Sequence, residues 1–288
     1  MTPPDADRLV VAADRGLEVR LRALAERRMV FFAGLPGTGK SLLVHQLAHV
    51  AAEAGRVVHL LQWDVARPVF EASPAGQRYP VADGVTHPLI RKAAGLWVRQ
   101  AIAAWGERHP EAEHLLVGET PFVGGRFVEL AHCGDDRAEA LLAAVSCRFA
   151  VAVPSREVRR FLESERERRA ASPMHPRERE DASPRLLRDL WRELAVVAGK
   201  LGIGEPTDDY HPDVYRDIYT ALLRRRNVDV MPLDVILPTE QYSVYDFAVT
   251  PSALVPTAAE AGAFIAQAVR RYTDPAELER EIARWWDI

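Results

Sequence analysis

Short apolar runs alternate with longer amphipathic segments through most of this chain of 288 residues. Most positions within each run are apolar, which is typical of strands that are covered on both faces of a sheet. The runs therefore predict five strands. They occupy residues 29–33, 57–62, 114–119, 149–153 and 228–236.

Helical periodicity occupies the intervals between these runs. Apolar residues recur every three or four positions in residues 17–28, 40–53 and 86–105. Residues 274–277 have the Asp-Pro-x-Glu pattern of a capped helix start, whereas residues 67–85 are rich in Pro and Gly and predict a loop. Because strands alternate with helices, the sequence predicts an α/β fold with a parallel five-stranded sheet and helices on both faces.

The most specific motif follows the first predicted strand. Residues 34–41 read Gly-Leu-Pro-Gly-Thr-Gly-Lys-Ser and match the phosphate-binding pattern G-x-x-x-x-G-K-[ST] at every fixed position. In that pattern, backbone N–H groups surround the phosphates, the lysine reaches the β- and γ-phosphates, and the serine hydroxyl binds Mg²⁺. A glycine-rich turn that matches by chance is the alternative, but a strand before it and a helix after it favour the binding loop. The predicted nucleotide-binding residues are Gly34, Pro36, Gly37, Thr38, Gly39, Lys40 and Ser41.

An aspartate and an arginine lie at the end of the second predicted strand, in the sequence Asp64-Val65-Ala66-Arg67. The carboxyl ends of parallel strands are where α/β proteins place ligands. A carboxylate at Asp64 can accept the proton of an incoming hydroxyl, while Arg67 can hold an acceptor phosphate or neutralise charge on the transferred group. A Mg²⁺ ligand or a helix cap at Asp64 would need the same position, so these alternatives stay open.

Glu119 ends the third predicted strand, after four apolar residues and a glycine. Such an acid can bind Mg²⁺ through water, orient the acceptor or polarise an attacking water. Its structural alternative is a buried acid that accepts hydrogen bonds from loop amides. The candidate Mg²⁺ ligands are therefore Ser41, Asp64 and Glu119, and the candidate catalytic residues near the loop are Lys40, Asp64, Arg67 and Glu119.

Residues 155–189 interrupt the alternation of predicted strands and helices. They contain ten arginines and eight acidic residues. The apolar residues Val158, Phe161 and Leu162 form a helical stripe in this segment. If the helix overhangs the phosphates, one or two arginines can close onto the transferring group and exclude water. A salt-bridged helix in solvent is the alternative. The candidates are Arg160, Arg166, Arg168 and Arg169, of which Arg166 and Arg169 are assigned to catalysis.

Other basic residues are less specific. Arg91, Lys92, Arg99 and Arg126 either bind an anionic acceptor or are solvated charges. His87 and His132 have no recognisable partner, and we expect both to be structural.

Composition narrows the class of partner. The formal net charge of −4 gives no overall basic field, so a nucleic-acid end as acceptor is not favoured. Cys133 and Cys147 lack metal-type spacing, which predicts reduced thiols. The chain has no apolar run of roughly 18 residues, and we expect a cytoplasmic protein without a membrane partner.

Taken together, the loop at 34–41, Asp64 with Arg67, Glu119 and the arginine-rich helix resemble the P-loop kinases of the nucleoside and nucleotide kinase-like group. The resemblance spans most of the chain, although only the loop is highly specific. It implies a five-stranded parallel sheet with a mobile lid at residues 155–189, and ATP with Mg²⁺ as donor. The D-x-x-R arrangement is similar to that of polynucleotide 5′-kinases, which implies Asp64 as base and Arg67 on an acceptor phosphate.

The sequence thus predicts a single-domain, ATP-dependent kinase that transfers the γ-phosphate to a hydroxyl. The acceptor, a small molecule, a nucleotide or a nucleic-acid end, stays open, as does the oligomeric state. An ATPase switch or a nucleotide-binding regulator without an acceptor is the alternative class. A GTPase is disfavoured because the chain has no N-K-x-D motif.

Overall fold

Six parallel strands form one sheet in the computed structural model, which describes residues 9–82, 84–205, 207–247 and 252–288. The five predicted strands are all present, but the predicted number of five is wrong. The sixth strand is only two residues long and both are exposed, so it has no apolar run that could reveal it. The strands are β1 Met29–Ala33, β2 Val57–Gln62, β3 His114–Thr120, β4 Cys147–Pro154, β5 Val228–Leu233 and β6 Ser252–Ala253.

Helices cover both faces of this sheet, as the alternating pattern predicted. None of those in the described ranges is both long and apolar enough to cross a membrane. The α-helices are α1 Arg15–Ala25, α2 Lys40–Glu53, α3 Trp63–Ala72, α4 Pro88–Arg108, α5 Arg137–Ala143, α6 Arg156–Ala171, α7 Pro184–Leu201, α8 Pro212–Leu222, α9 Ala258–Arg271 and α10 Pro275–Ala283.

Alternation along β1 separates the two halves of the core. Val30 and Phe32 pack against α1 and α2 on one face. Phe31 points to the opposite face, where it contacts Phe149 of β4 and lies in the same cluster as residues of α3, α4, α7 and α8. All five residues of β1 are buried, which explains why this strand reads as a continuous apolar run.

The strand order β5-β4-β1-β3-β2-β6 creates a switch point beside β1. The chain leaves β1 for β2 on one side, returns to insert β3, and then crosses to β4 on the other side. Ligands of open α/β sheets bind outside the carboxyl ends of the strands at such a point. The register pairs Phe32 with Glu119 and Ala33 with Thr120, so β3 ends beside the residue that begins the glycine-rich loop.

The segment after β2 differs from the prediction. The expected loop at residues 67–85 is wrong in its first part, because α3 begins directly at Trp63 and continues through Pro68 to Ala72. Trp63 and Phe70 are buried on one face of α3, and this packing maintains the helix despite the proline. As a result, Asp64 lies in the first turn of a helix rather than at the end of a strand, and Arg67 lies one turn later.

Candidate active site

The glycine-rich loop connects β1 to α2, as its pattern requires. Gly34 has no room for a side chain, because a Cβ atom there would lie 2.2 Å from the Tyr215 hydroxyl. Gly39 has φ 83°, a left-handed conformation that favours glycine, and it is the N-cap residue of α2. The first turn of α2 therefore presents backbone amides that no cap side chain occupies, which is the arrangement that binds anions.

The carbonyl of Leu35 organises the loop from within. The Thr38 hydroxyl donates to it at 2.9 Å, and the Lys40 ammonium donates to it at 2.7 Å. The amide of the same residue donates to the Tyr215 hydroxyl at 3.2 Å. Tyr215 belongs to α8 and is fully buried, so a helix remote in sequence fixes the loop. No local pattern in the sequence indicated this contact.

Lys40 is a buried cation that contacts no carboxylate among the residues that the structure describes. Its side chain is 6% exposed, and within the described residues its ammonium donates only to the neutral Leu35 carbonyl. Burial lowers the pKa of Lys40 to about 8, although the nearby charges of Glu119 and Asp64 oppose this shift. A buried ammonium needs an anionic partner, and the loop leaves it facing the cavity where a phosphate would lie.

Glu119 is a buried acid at the end of β3, between Phe32 of β1 and Gln62 of β2. The Ser41 hydroxyl lies 3.5 Å from its Oε2 atom, so two of the three candidate Mg²⁺ ligands are adjacent. Burial raises the pKa of Glu119 to about 7; the Lys40 charge lowers it and the Asp64 charge adds to the rise. Two buried groups with opposed shifts in one cleft are typical of a functional site.

Asp64 and Arg67 project from α3 toward the same cavity. Asp64 is exposed, and its charge influences both Lys40 and Glu119. The Arg67 guanidinium pairs with Glu71 at 2.9 Å on the same helix, which orients it while leaving other donors open to the cavity. The short turn from β2 into α3 therefore brings both predicted residues to the loop.

A cavity of about 350 Å³ joins these groups. Its floor is the glycine-rich loop with Lys40 and Ser41, and one wall carries Asp64 and Arg67. The opposite side is covered by α6, the 3-10 helix Pro176–Glu180 and residues 239–245, which we call the roof. Its volume lies within the usual range of small-molecule sites.

Arginines of α6 divide into those that face the cavity and those that do not. Arg166 and Arg169 line it, whereas Arg160 and Arg168 are exposed. Arg166 pairs with Asp181 at 2.7 Å. Arg169 donates to Glu178 at 2.9 Å and to the carbonyls of residues 239 and 242. Its guanidinium therefore connects α6 to the other two parts of the roof.

Arg159 contacts the loop directly, although no sequence pattern distinguishes it from the other nine arginines of residues 155–189. Its guanidinium donates to the carbonyl of Gly37 at 3.0 Å and to that of Pro36 at 3.3 Å. It is 2% exposed and also pairs with Glu163 at 2.7 Å. A buried arginine that joins α6 to the loop couples the position of the roof to the backbone of the glycine-rich loop.

The turn after Glu119 carries backbone strain and a further cation. Phe122 and Phe127 are fully buried non-glycine residues with φ of 59° and 57°, a conformation that costs energy and is concentrated at functional sites. Between them, Arg126 lines the cavity and donates to the Val123 carbonyl at 2.8 Å. Within the described chain it has no carboxylate partner, so most of its fork is available to a ligand.

The other basic candidates lie in structural contacts outside the cavity lining. Arg91 donates to the backbone carbonyls of residues 86 and 124, and Lys92 pairs with Glu129 and Glu281. Arg99 pairs with Asp136 and Glu139. His87 accepts from the Leu89 amide at the start of α4, which is the structural role expected for it.

Comparisons of the chain with protein-family models, with curated proteins and with solved structures gave no match. The geometry of the site is therefore the basis for assigning its chemistry.

Proposed function

We propose that this protein is an ATP-dependent kinase that transfers the γ-phosphate to a hydroxyl group. The observation that carries the proposal is the shared cavity, which joins a phosphate-binding loop to the carboxylates of Asp64 and Glu119 and to the Arg67 and Arg126 side chains. A site for a nucleotide alone does not need a carboxylate and two arginines beyond the phosphates. A site for phosphoryl transfer does.

The donor half fits a nucleoside triphosphate. Lys40 supplies a buried ammonium that faces the loop, and the first turn of α2 supplies free amides. Ser41 and Glu119 are the residues that would hold Mg²⁺, which neutralises charge on the phosphoryl oxygens. A metal that binds there would also stabilise the ionised form of Glu119, which burial disfavours.

In the acceptor half, Asp64 is exposed to the cavity and takes the proton of the attacking hydroxyl. Arg67 and Arg126 lie on the same side, where their guanidinium groups orient an acceptor that carries an anionic group. Arg166 faces this space from the roof and stabilises charge on the transferred group. These roles match the chemistry of the side chains and require no other group of the chain.

The roof favours a kinase over an ATPase. Arg169, Glu178 and Ser243 connect its parts, since Glu178 accepts from Arg169 at 2.9 Å and from Ser243 at 2.6 Å. Arg159 ties the roof to the loop. A covered cavity limits the access of water to the γ-phosphate, so that a bound hydroxyl competes with hydrolysis.

ADP release in the presence of candidate acceptors tests the proposal. The panel comprises nucleosides, oligonucleotide 5′-ends, sugars, small alcohols and phosphorylated metabolites, with ATP and Mg²⁺ in each reaction. We expect at least one acceptor to raise ADP release well above the acceptor-free rate. Release at the same rate without any acceptor would instead support an ATPase, and no release would support a regulator.

Asp64→Asn tests the base. Transfer to the acceptor should fall by ~10²–10⁴-fold while ATP affinity changes little, because the substitution removes a proton acceptor and leaves the loop intact. Asp208→Asn is the matched control, since the Asp208 side chain is 87% exposed and lies outside the cavity. Near-normal transfer by Asp64→Asn would refute its assignment as base.

A further inference from the structure

Three histidines lie together at the amino end of the sheet, away from the carboxyl edge that carries the loop. His59 is in β2, His114 begins β3, and His109 follows the last turn of α4. One ring nitrogen from each lies within 4.8 Å of the other two. The sequence spacing gave no sign of this cluster, because His59 is 55 positions from its partner His114.

We propose that His59, His109 and His114 form a binding site for a divalent transition metal of the zinc class. Zn²⁺ binds imidazole nitrogens at about 2.0–2.1 Å in tetrahedral geometry, which places two such nitrogens roughly 3.4 Å apart. His59 Nε2 and His114 Nδ1 are already 3.0 Å apart. The ligand nitrogen of His109 lies within 4.8 Å of the other two, and its ring, like that of His114, is only partly buried, so a metal would draw this nitrogen inward by ring rotation.

His109 packs against Trp105, with ring centroids 6.1 Å apart, and against the other two histidines. A hydrogen bond between His59 and His114 accounts for the contact of those two rings. His109 lies 4.4 Å from the first ring and 4.5 Å from the second, between centroids, yet its imidazole makes no hydrogen bond within the described residues. Three rings that converge with a free ring nitrogen in the group are a ligand set for a metal.

A second contact supports this interpretation. The other ring nitrogen of His114, Nε2, lies 3.8 Å from the Glu111 carboxylate. Histidines that bind metals commonly present their second nitrogen to a carboxylate, which fixes the tautomer and makes the ring a better ligand. With Nε2 directed at Glu111, the Nδ1 atom of His114 is left facing His59, on the side where the metal would bind.

The backbone around the cluster is held in place before any metal binds. Arg28 donates to the carbonyls of His109, Glu111 and His114, so the connection between α4 and β3 has a defined path. Its guanidinium lies over the Trp105 ring, 4.7 Å from the centroid. His59 is 5% exposed, whereas His109 and His114 are partly exposed, so the cluster opens to solvent on one side. Water would then complete the coordination, as in other three-histidine sites.

The bound metal would join three elements, β2, β3 and the end of α4, at the edge opposite the glycine-rich loop. Its effect is therefore expected on stability rather than on phosphoryl transfer. A ligand that binds only the folded state stabilises it by RT ln(1 + [L]/Kd), so the melting temperature rises with the logarithm of the metal concentration once that concentration exceeds Kd. This proposal is independent of the kinase assignment, because its readout needs no nucleotide.

The test uses the full chain after removal of metals with a chelator. Titration with Zn²⁺ is followed by calorimetry and by the melting temperature, and titration with Co²⁺ by its visible d–d absorption, which reports tetrahedral nitrogen coordination. We expect one metal per chain, a raised melting temperature and an intense Co²⁺ spectrum. Absence of saturable binding, or an octahedral Co²⁺ spectrum, would overturn the proposal.

Variants assign the ligands. His109→Gln and His114→Gln should each weaken Zn²⁺ binding by more than ~100-fold, and Glu111→Gln by a smaller factor, because its carboxylate lies 3.8 Å from His114 Nε2 and is half-exposed. His211→Gln is the control for adventitious binding, because the His211 side chain is 40% exposed and lies outside the cluster. Equal affinity of the His109 and His114 variants and the parent would refute the site, as would an equal loss in His211→Gln. If one variant fails to fold, the other and the Co²⁺ spectrum of the parent decide.

Discussion

Two groups of charged side chains in the described residues, each built around buried members, differ in how their charges are compensated. The group at the glycine-rich loop consists of the buried Lys40 and Glu119 and the exposed Asp64; its ammonium contacts a neutral carbonyl, and burial raises the pKa of Glu119 to about 7. The arginine clamp consists of Arg99, Arg226, Asp136 and Glu139. There, hydrogen bonds from Arg226 lower the pKa of Glu139 to about 2.

The clamp satisfies its charges internally. Arg226 has a side chain with no exposure, and it donates to both Glu139 oxygens, at 2.7 and 3.0 Å, and to the Leu130 carbonyl at 2.8 Å. Arg99 binds Asp136 through two parallel bonds of 2.6 and 2.8 Å. A buried charge whose partners all lie in the chain supports the fold, whereas a buried charge without such partners indicates a place for a ligand.

The largest expected effect is on the clamp. Arg226→Met removes a fully buried guanidinium and leaves Glu139 without its main partner, which should reduce the free energy of unfolding by about 3–5 kcal/mol. Denaturant unfolding measures this loss, and phosphoryl transfer per folded molecule should stay near that of the parent. A loss of transfer in fully folded protein would show that the clamp is not purely structural.

Glu119→Gln should have the opposite effect to Arg226→Met, with a loss of phosphoryl transfer but no loss of stability. Loss of the carboxylate beside Ser41 should reduce Mg²⁺-dependent transfer at least ~100-fold, or about 2.7 kcal/mol. The folded state should be no less stable than the parent at pH 8, because a buried negative charge has been removed. Measurements of the transfer rate and of the free energy of unfolding, made on the same variant, check the two expectations. Reduced stability with normal transfer would make Glu119 a structural acid.

The contributions of Glu119 and Glu139 to the free energy of unfolding should also depend on pH in opposite directions. Glu119 has its pKa raised from 4.5 to about 7, so the folded state holds more protons than the unfolded state within that window, and the free energy of unfolding falls as pH rises through it. Glu139 has its pKa lowered to about 2, so its contribution is present above 4.5 and is lost as pH falls toward 2.

The measurement is the difference in unfolding free energy between Glu119→Gln and the parent at pH 5 and pH 8. This difference should grow by ~1–3 kcal/mol in favour of the variant at the higher pH. An unchanged difference would mean that Glu119 titrates normally.

The smallest effect concerns the acceptor wall. Arg126→Gln should raise the KM for an anionic acceptor about tenfold, near 1.4 kcal/mol, and leave KM for ATP unchanged, because it removes a charged donor from the acceptor side only. Arg168→Gln is the matched control, since the Arg168 side chain is 50% exposed and lies outside the cavity. If both variants have the same KM, Arg126 does not contact the acceptor.

The sequence predicted what depends on local pattern. Strands covered on both faces read as continuous apolar runs, and the glycine-rich loop has a fixed spacing, so five strands and the loop could be placed without the structure. The two-residue β6 and the helix through Pro68 could not be predicted from the sequence, because pairing and packing with distant residues maintain them. The same limit explains why the sequence predicts a strand end at position 64, where the structure has the first turn of α3.

The site shows the same limit. Asp64 and Glu119 were selectable because each follows an apolar run, and both line the cavity. Arg159 and Tyr215 contact the loop from 122 and 180 positions away, and nothing in their own neighbourhoods marks them. The strained turn at residues 122–127 could not be predicted either, since its φ values arise from the surrounding core and not from a local pattern.

Binding of ATP with Mg²⁺ to the parent and to Lys40→Ala, measured by calorimetry, tests most directly whether the uncompensated charge of the loop serves a nucleotide. The parent should bind one ATP per chain, and the variant should bind at least ~100-fold more weakly, because the buried ammonium has no other anionic partner in contact within the described residues. Lys200→Ala, at a surface position of α7, should bind like the parent. Equal affinity of parent and Lys40→Ala would contradict the assignment of the loop as the phosphate site.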